Sequence, residues 1–330
     1  MKDKILITGG AGYIGSKLID IFPNKKKLKI IDSFYYGKQF LKKKKIKCHS
    51  ENINNKINDK IFKKVKTVVH LAGLANDSTS DLNPNLTVLT NHISTIKLAK
   101  QAKRLGVKKF IYASSCSVYG DQDKKLVNEN YELRPLTIYA LSKASSELEI
   151  QNLNSKNFKV ISLRFATLFG LSPRMRFDLG INAMTKNVIK NINLIVNGNG
   201  KQYRSFVHVR DVAKTILFFI NKKSPKIKYS IFNVGSNSLN IRIIDLANKI
   251  KKKFKKKKIL FNKDQADFRS YRADFSRLNK IFNTAKFITI EDGVKEIYEY
   301  YKYKKINLDN PIYYNLKTMK RKNSTMTKCT

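Results

Sequence analysis

The chain of 330 residues has no tryptophan, six prolines and three cysteines. Cys48, Cys116 and Cys329 share no metal-ligand spacing and cannot all pair, which argues against a disulfide framework or a zinc site and fits a reducing compartment. Long apolar runs are missing as well. No stretch reaches 18 apolar residues, and "MKDKILITGG" passes from Met1 into a buried-looking strand within four positions, leaving no room for a signal peptide. A soluble, cytoplasmic protein is the expectation. No internal repeat is present, and with 42% hydrophobic residues the chain can bury a sizeable core.

Acidic residues are also scarce: 24 Asp and Glu face 67 Lys and Arg, a formal charge of +43. Such a balance raises nucleic acid or an anionic membrane as partner. The basic residues point elsewhere, because 12 are Arg and 55 are Lys, in runs such as "KKKK" (42–45) and "KKKFKKKK" (251–258) beside abundant Asn and Ile. An AT-biased coding repertoire with lysines on solvated faces produces this pattern, so neither nucleic acid nor membrane is expected as partner.

What is present is alternation. "KILIT" (4–8), "KLKIID" (27–32), "TVVHLA" (67–72), "KKFIYAS" (108–114) and "KVISLRF" (159–165) read as strands. "LTVLTNHISTIKLAKQAKRLG", with Gly106 as C-cap, and "IYALSKASSELEIQNL" read as amphipathic helices between them. Strands alternating with helices imply an α/β fold with a Rossmann-like, doubly wound parallel sheet over residues 1–165. Residues 166–305 are looser and read as a smaller α/β substrate domain, with some segments returning to the first. The polar, basic stretch at 306–330 reads as a flexible tail.

The first strand runs into "TGGAGYIGS", where Gly10-x-Gly12-x-x-Gly15, or Gly9-x-x-Gly12-x-x-Gly15, stands at the mouth of a helix. Glycines there allow the tight turn, let backbone N–H groups approach a pyrophosphate at the positive helix end, and permit close helix–strand packing. Asp32 closes the second strand 22 residues after Gly10, where a carboxylate hydrogen-bonds an adenosine ribose, and no Arg follows closely. The combination favours NAD over NADP. "YALSK" adds Tyr139 and Lys143 at i and i+4, one face of a helix, where an ammonium can stabilise a phenolate.

With "VVHLAG" (68–73), Asn91, "SSCSVYG" (114–120), "LRFATLFG" (163–170), "RSFVHVRDVA" (204–213) and "FNVGS" (232–236), these motifs cover about residues 4 to 300. In their order and spacing the chain resembles the extended short-chain dehydrogenase/reductase family, in its NAD-dependent nucleotide-sugar epimerase/dehydratase branch. The resemblance implies Tyr139 as base, Lys143 tuning it, and Ser115, four residues before Tyr119, hydrogen-bonding the reacting oxygen, with Ser114 as backbone lining. The cofactor site it implies comprises Gly9, Gly12, Tyr13, Ile14, Gly15, Asp32, Asn52, Ile53, Leu71, Ala72, Gly73 and Asn91, together with Tyr139 and Lys143. Asn52 stands where the family carries an adenine-contacting Asp.

Asn182, Arg204 and Arg269 are the implied substrate contacts, with Arg272 as a companion and the 73–81 loop lining the sugar pocket; no metal is implied. Dehydratases of this branch carry Asp-Glu immediately after the Ser/Thr, where this chain has Cys116 and Ser117. A thiol and an alcohol do not replace two carboxylates as acid and base at neutral pH. The resemblance therefore implies an epimerase, acting at C4 through a 4-keto intermediate to build a surface polysaccharide or glycoconjugate. A 4,6-dehydratase or 4-keto-sugar reductase stays open as an alternative, and a non-catalytic nucleic-acid-binding member as a remote one. Thr167 replaces an Asn common in 4-epimerases, which leaves the sugar open. A homodimer through the helices at 86–104 and 137–153 is the implied assembly. His70 and His208 read as structural, and "YEYYKYKK" (298–305) as a terminal helix face.

Overall fold

The computed structural model describes residues 3–41, 46–122, 126–223, 227–254, 258–263 and 269–326; the side chains of 322–326 are not described. The "KKKK" run at 42–45 and Cys329 lie outside them. Its central element is a parallel sheet of seven strands: β1 (Lys4–Thr8), β2 (Leu28–Asp32), β3 (Lys47–Ser50), β4 (Val65–His70), β5 (Lys109–Ser115), β6 (Lys159–Phe165) and a later strand, Ile231–Val234. Across the sheet the order is β3-β2-β1-β4-β5-β6 and then Ile231–Val234. The chain therefore reverses direction across the sheet between β1 and β4, the switch point at which doubly wound folds open a crevice beyond the strand ends.

Neighbouring residues on each strand face opposite ways, and both faces are covered. Ile7, Ile30, Val69, Ile111 and Ile161 pack with α1 (Tyr13–Ile21) on one side. Leu6, Ile31, Val68, Phe110 and Val160 pack with α3 (Ser94–Arg104) on the other, where α2 (Asp77–Leu82) and α4 (Ile138–Gln151) complete the helices of the first half. Burial on both faces explains why these strands read as continuous apolar runs. The second half places α5 (Gly180–Ile189), α7 (Ile243–Phe254) and α8 (Ile290–Tyr301) around a third apolar cluster, while α6 (Val209–Asn221) packs beneath the main sheet.

One strand went unread, and two expectations need correction. The edge strand β3, "KCHS", carries too little apolar patterning to be read, and is largely exposed. The helix expected over 86–104 contains a π-helical turn at Val88–Ile93, and this turn sets the direction of Asn91. The supposed flexible tail forms helix α9 (Asn315–Met326), which packs against α2, with Tyr314, Asn315 and Met319 buried. Its sequence is polar and aperiodic because few residues anchor it; docking, not propensity, holds such a helix.

Candidate active site

A cavity of about 1470 Å³ opens at the switch point and runs into the second half of the chain. A single small ligand occupies roughly 300–1,000 Å³, so this space accommodates a cofactor and a substrate side by side.

At one end the wall is backbone. Gly9 has φ +71, and a Cβ there would lie 2.6 Å from Ala72 N; at Gly15 it would lie 2.3 Å from Gly9 O. No side chain fits either place, and both glycines face the cavity with Gly12, Tyr13 and Ile14. The Asp32 carboxylate accepts hydrogen bonds from Ala11 N at 2.8 Å and Phe34 N at 2.7 Å, fixing it at the end of β2 and tying it to the glycine turn. Burial raises its pKa while those two N–H groups oppose the rise. Ile53, Leu71, Ala72 and Gly73 line the same end; Asn52 lies there exposed, its Oδ1 taken by Asn54 N at 3.0 Å. A glycine cradle at a helix N-terminus with a fixed carboxylate beyond it fits a dinucleotide.

Asn91 is a correction. It is fully buried and does not face the cavity: Oδ1 accepts from Leu74 N at 2.8 Å and Nδ2 donates to Leu74 O at 3.0 Å. Its amide clamps the loop after β4 instead. A Cβ on Gly73 would lie 2.7 Å from Asn91 Oδ1, so the clamp requires that glycine.

In the middle of the cavity Ser115 ends β5 and faces Tyr139 and Lys143 on α4. Ser115 Oγ accepts from Ser117 N at 3.1 Å and Ser117 Oγ at 2.9 Å, which leaves its own proton to donate. Burial pushes Tyr139 up to about 12, and the Asp77 carboxylate adds to the rise, whereas Ser115, Arg176 and Arg269 pull it down. Burial takes Lys143 down to about 8; its Nζ donates to Ala113 O at 2.9 Å and lies 6.0 Å from the Tyr139 ring centroid.

Cys116 lies on the other side of the strand end. It is fully buried, its Sγ donates to Arg164 O at 3.2 Å, and burial pushes the thiol far up. It is a core residue, neither a nucleophile nor part of the cavity wall.

The far end is built of side chains. Arg204 and Arg269 both face it; Arg204 Nη1 donates to Tyr203 O and to Arg269 O, and Arg269 Nη1 donates to Asp77 Oδ2 at 2.6 Å. Thr137 Oγ1 donates to the other oxygen of Asp77 at 2.6 Å. Asn182 is a second correction: it is fully buried, accepting from Gly170 N at 2.9 Å and donating to Arg176 O at 2.8 Å, and it is absent from the wall that Ala183, Lys186 and Asn187 form. Arg272 stacks on Tyr203 away from the cavity.

Sequence reasoning missed Thr137, Arg174, Arg176, Tyr314, Asn315 and Met319, all on the wall, whereas Asp77 belongs to the 73–81 loop expected there. One signal could have found two of them. Four of the 12 arginines face the cavity against two of the 55 lysines, so an Arg in this lysine-rich chain marks a place where the guanidinium geometry is needed. His70 is buried between Thr8 Oγ1 at 2.7 Å and Thr95 Oγ1 at 2.9 Å, and burial takes it down to about 3. His208 caps α6 and contacts Glu296 at 2.9 Å. Among the described residues no group of His, Cys, Asp or Glu could hold a metal ion, and no helix is long and apolar enough to cross a membrane.

The model of the NAD dependent epimerase/dehydratase family matches residues 5–235. A putative UDP-glucose 4-epimerase of Methanocaldococcus jannaschii is 33% identical over 242 residues, covering 70% of this chain and 76% of its own. The UDP-glucuronic acid 4-epimerase of Bacillus cereus, solved with UDP-glucuronic acid and NAD, superposes with TM-score 0.80 at 25% identity, over 90% of this chain and 98% of its own. The NAD-dependent NDP-hexosamine 5,6-dehydratase of tunicamycin biosynthesis has the same fold, with TM-score 0.82 at 23% identity over 94% of this chain and 100% of its own.

Proposed function

The chain belongs to the NAD dependent epimerase/dehydratase family, and from that premise we propose that it is a nucleotide-sugar epimerase acting at C4 through a 4-keto sugar. The observation that carries this reading is the turn after Ser115. Ser117 offers the cavity only a hydroxyl and Cys116 faces the core. Dehydration needs a carboxyl group to take the C5 proton and expel the C6 hydroxyl, and none stands on this turn.

The two carboxylates on the substrate side are already engaged. Asp178 pairs bidentately with Arg176, at 2.9 Å for each contact, and Asp77 is held by Arg269 and Thr137. Asp77 is nonetheless the residue that favours the alternative, a dehydratase with a displaced acid, because its charge reaches Tyr139.

Bound NAD supplies a reversible hydride acceptor at its nicotinamide ring. The protein does the rest. Tyr139 acts as the phenolate, the form that Arg176, Arg269 and the Ser115 hydrogen bond favour against burial, and takes the proton of the C4 hydroxyl; Ser115 donates a hydrogen bond to the same oxygen, and Lys143 keeps two of its protons for a ribose after donating one to Ala113 O. Having taken that proton, Tyr139 is the neutral phenol, the form burial favours, and it returns the same proton to the C4 oxygen when the ketone is reduced. Arg204 and Arg269 hold the diphosphate while the 4-keto sugar turns over between the two hydride transfers.

Incubation of the purified protein with a panel of nucleotide sugars, without added cofactor, tests this. Isomerisation at constant mass is expected; loss of water, or a halt after one equivalent of cofactor, would sink the epimerase.

Val88, Leu89 and Ile93 of the π turn and Leu141 and Leu148 of α4 are exposed apolar residues on the two segments implied as the dimer interface. They support a homodimer through those helices. Sedimentation should give twice the chain mass, and Leu148→Glu should shift it toward the monomer; an unmodified protein that sediments as a monomer refutes the dimer.

A further inference from the structure

We propose that Arg174 is a side-chain anchor for the diphosphate of the cofactor, and that the C-terminal helix α9 holds it in position through Asn315. The inference rests on the NAD site and not on which sugar reaction follows.

Position comes first. Arg174 N donates to Ser16 Oγ at 3.1 Å, Ser16 Oγ meets Ser172 Oγ at 3.0 Å, and Ser172 Oγ donates to Tyr13 O at 2.7 Å. The 172–174 segment is thereby fastened to the first turn of α1, where the helix and the glycine cradle attract an anion. From there the guanidinium reaches over the ring of Tyr36, 4.1 Å from its centroid, and its charge is felt at Asp32. It therefore shares the cavity wall with the glycine turn and with Asp32, whose charge it feels.

Its bonding is incomplete. Arg174 is 1% exposed, Nη2 donates to Asn315 Oδ1 at 2.6 Å, and Nε has no partner among the described residues. Leaving an N–H of a buried cation unpaired is costly, and two phosphate oxygens match the fork of a guanidinium. Asp178 is its nearest acid by effect, but that carboxylate is taken by Arg176, which repels Arg174. The place is short of negative charge, which a diphosphate supplies. Its far contact explains the docked tail: Asn315 also donates Nδ2 to Ala75 O at 3.2 Å and N to Asp178 Oδ2 at 3.3 Å, so α9 ties the guanidinium to the loop after β4.

The test uses the full chain stripped of nucleotide and calorimetric titration with ADP-ribose, ADP and adenosine. Arg174→Gln should weaken ADP-ribose and ADP about 10- to 100-fold while adenosine changes by less than about twofold, since charge-assisted hydrogen bonds are lost only to ligands with phosphate. Asn315→Ala should produce a smaller loss of the same selectivity, and both variants should purify with less bound NAD. Unchanged ADP affinity in Arg174→Gln, or an equal loss for adenosine, overturns the anchor. Should Arg174→Gln fail to fold, Arg174→Lys carries the same ligand comparison, because it keeps the charge and loses the fork. An unmodified protein that binds none of the three ligands overturns the cofactor site itself, an outcome distinct from a wrong role for Arg174.

Discussion

At the cofactor end the cavity wall is mostly backbone, Gly9, Gly12 and Gly15 bent around the start of α1; at the substrate end it is side chains, Arg204, Arg269, Asp77 and Thr137, brought from four separate segments. A backbone cradle tolerates only glycine at set spacings, so its chemistry is written as a motif. A side-chain clamp is written as pairings, such as Arg269 with Asp77 across 192 positions of chain, that no local pattern displays.

The largest effect lies between the two ends. Tyr139→Phe should retain NAD and substrate while kcat falls about 10²- to 10⁴-fold, the usual weight of a general base. Rapid-quench turnover beside cofactor content checks it, and near-normal turnover would refute the role.

The next two changes separate the ends. Gly15→Ala places a methyl 2.3 Å from Gly9 O, a backbone atom that cannot yield cheaply. Overpacking of this kind costs about 1–3 kcal/mol, so the variant should lose cofactor and melt earlier. Arg269→Gln should keep its NAD and weaken nucleotide-sugar binding about 10- to 100-fold, the worth of a charge-assisted contact. Titration of both ligands into both variants decides; if either change lowered the two affinities equally, the ends would not be independent.

The smallest concerns the floor beneath the cradle. Burial, with Lys143 adding to it, takes His70 from the ordinary 6.5 to about 3, so below pH 6.5 the unfolded chain binds a proton that the folded chain refuses. This share of stability is whole above pH 6.5 and declines as pH falls, by about 2 kcal/mol at pH 5 at 1.36 kcal/mol per unit. Urea midpoints across pH should show that extra slope in the unmodified protein and lose it in His70→Gln.

The sequence also misled in places, for physical reasons. Asn91 and Asn182 occupy family positions, yet each spends its amide on backbone groups, a choice that depends on which chain segments arrive beside it. The polar end of the chain resembles a tail until Tyr314, Asn315 and Met319 find the surface that buries them.

By itself the sequence determined the doubly wound sheet, the glycine cradle with Asp32, and the placing of Tyr139 and Lys143 on one helix face. Those follow from periodicities of two and 3.6 and from the steric needs of glycine, which act over neighbouring residues. Only the tertiary structure decided that Cys116 turns into the core while Ser117 reaches the cavity, that burial raises Tyr139 against the pull of Arg176 and Arg269, and that Arg174 meets Asn315 across 141 positions. Burial and long-range pairing set those outcomes, and neither is a property of any stretch of chain until the rest has packed against it.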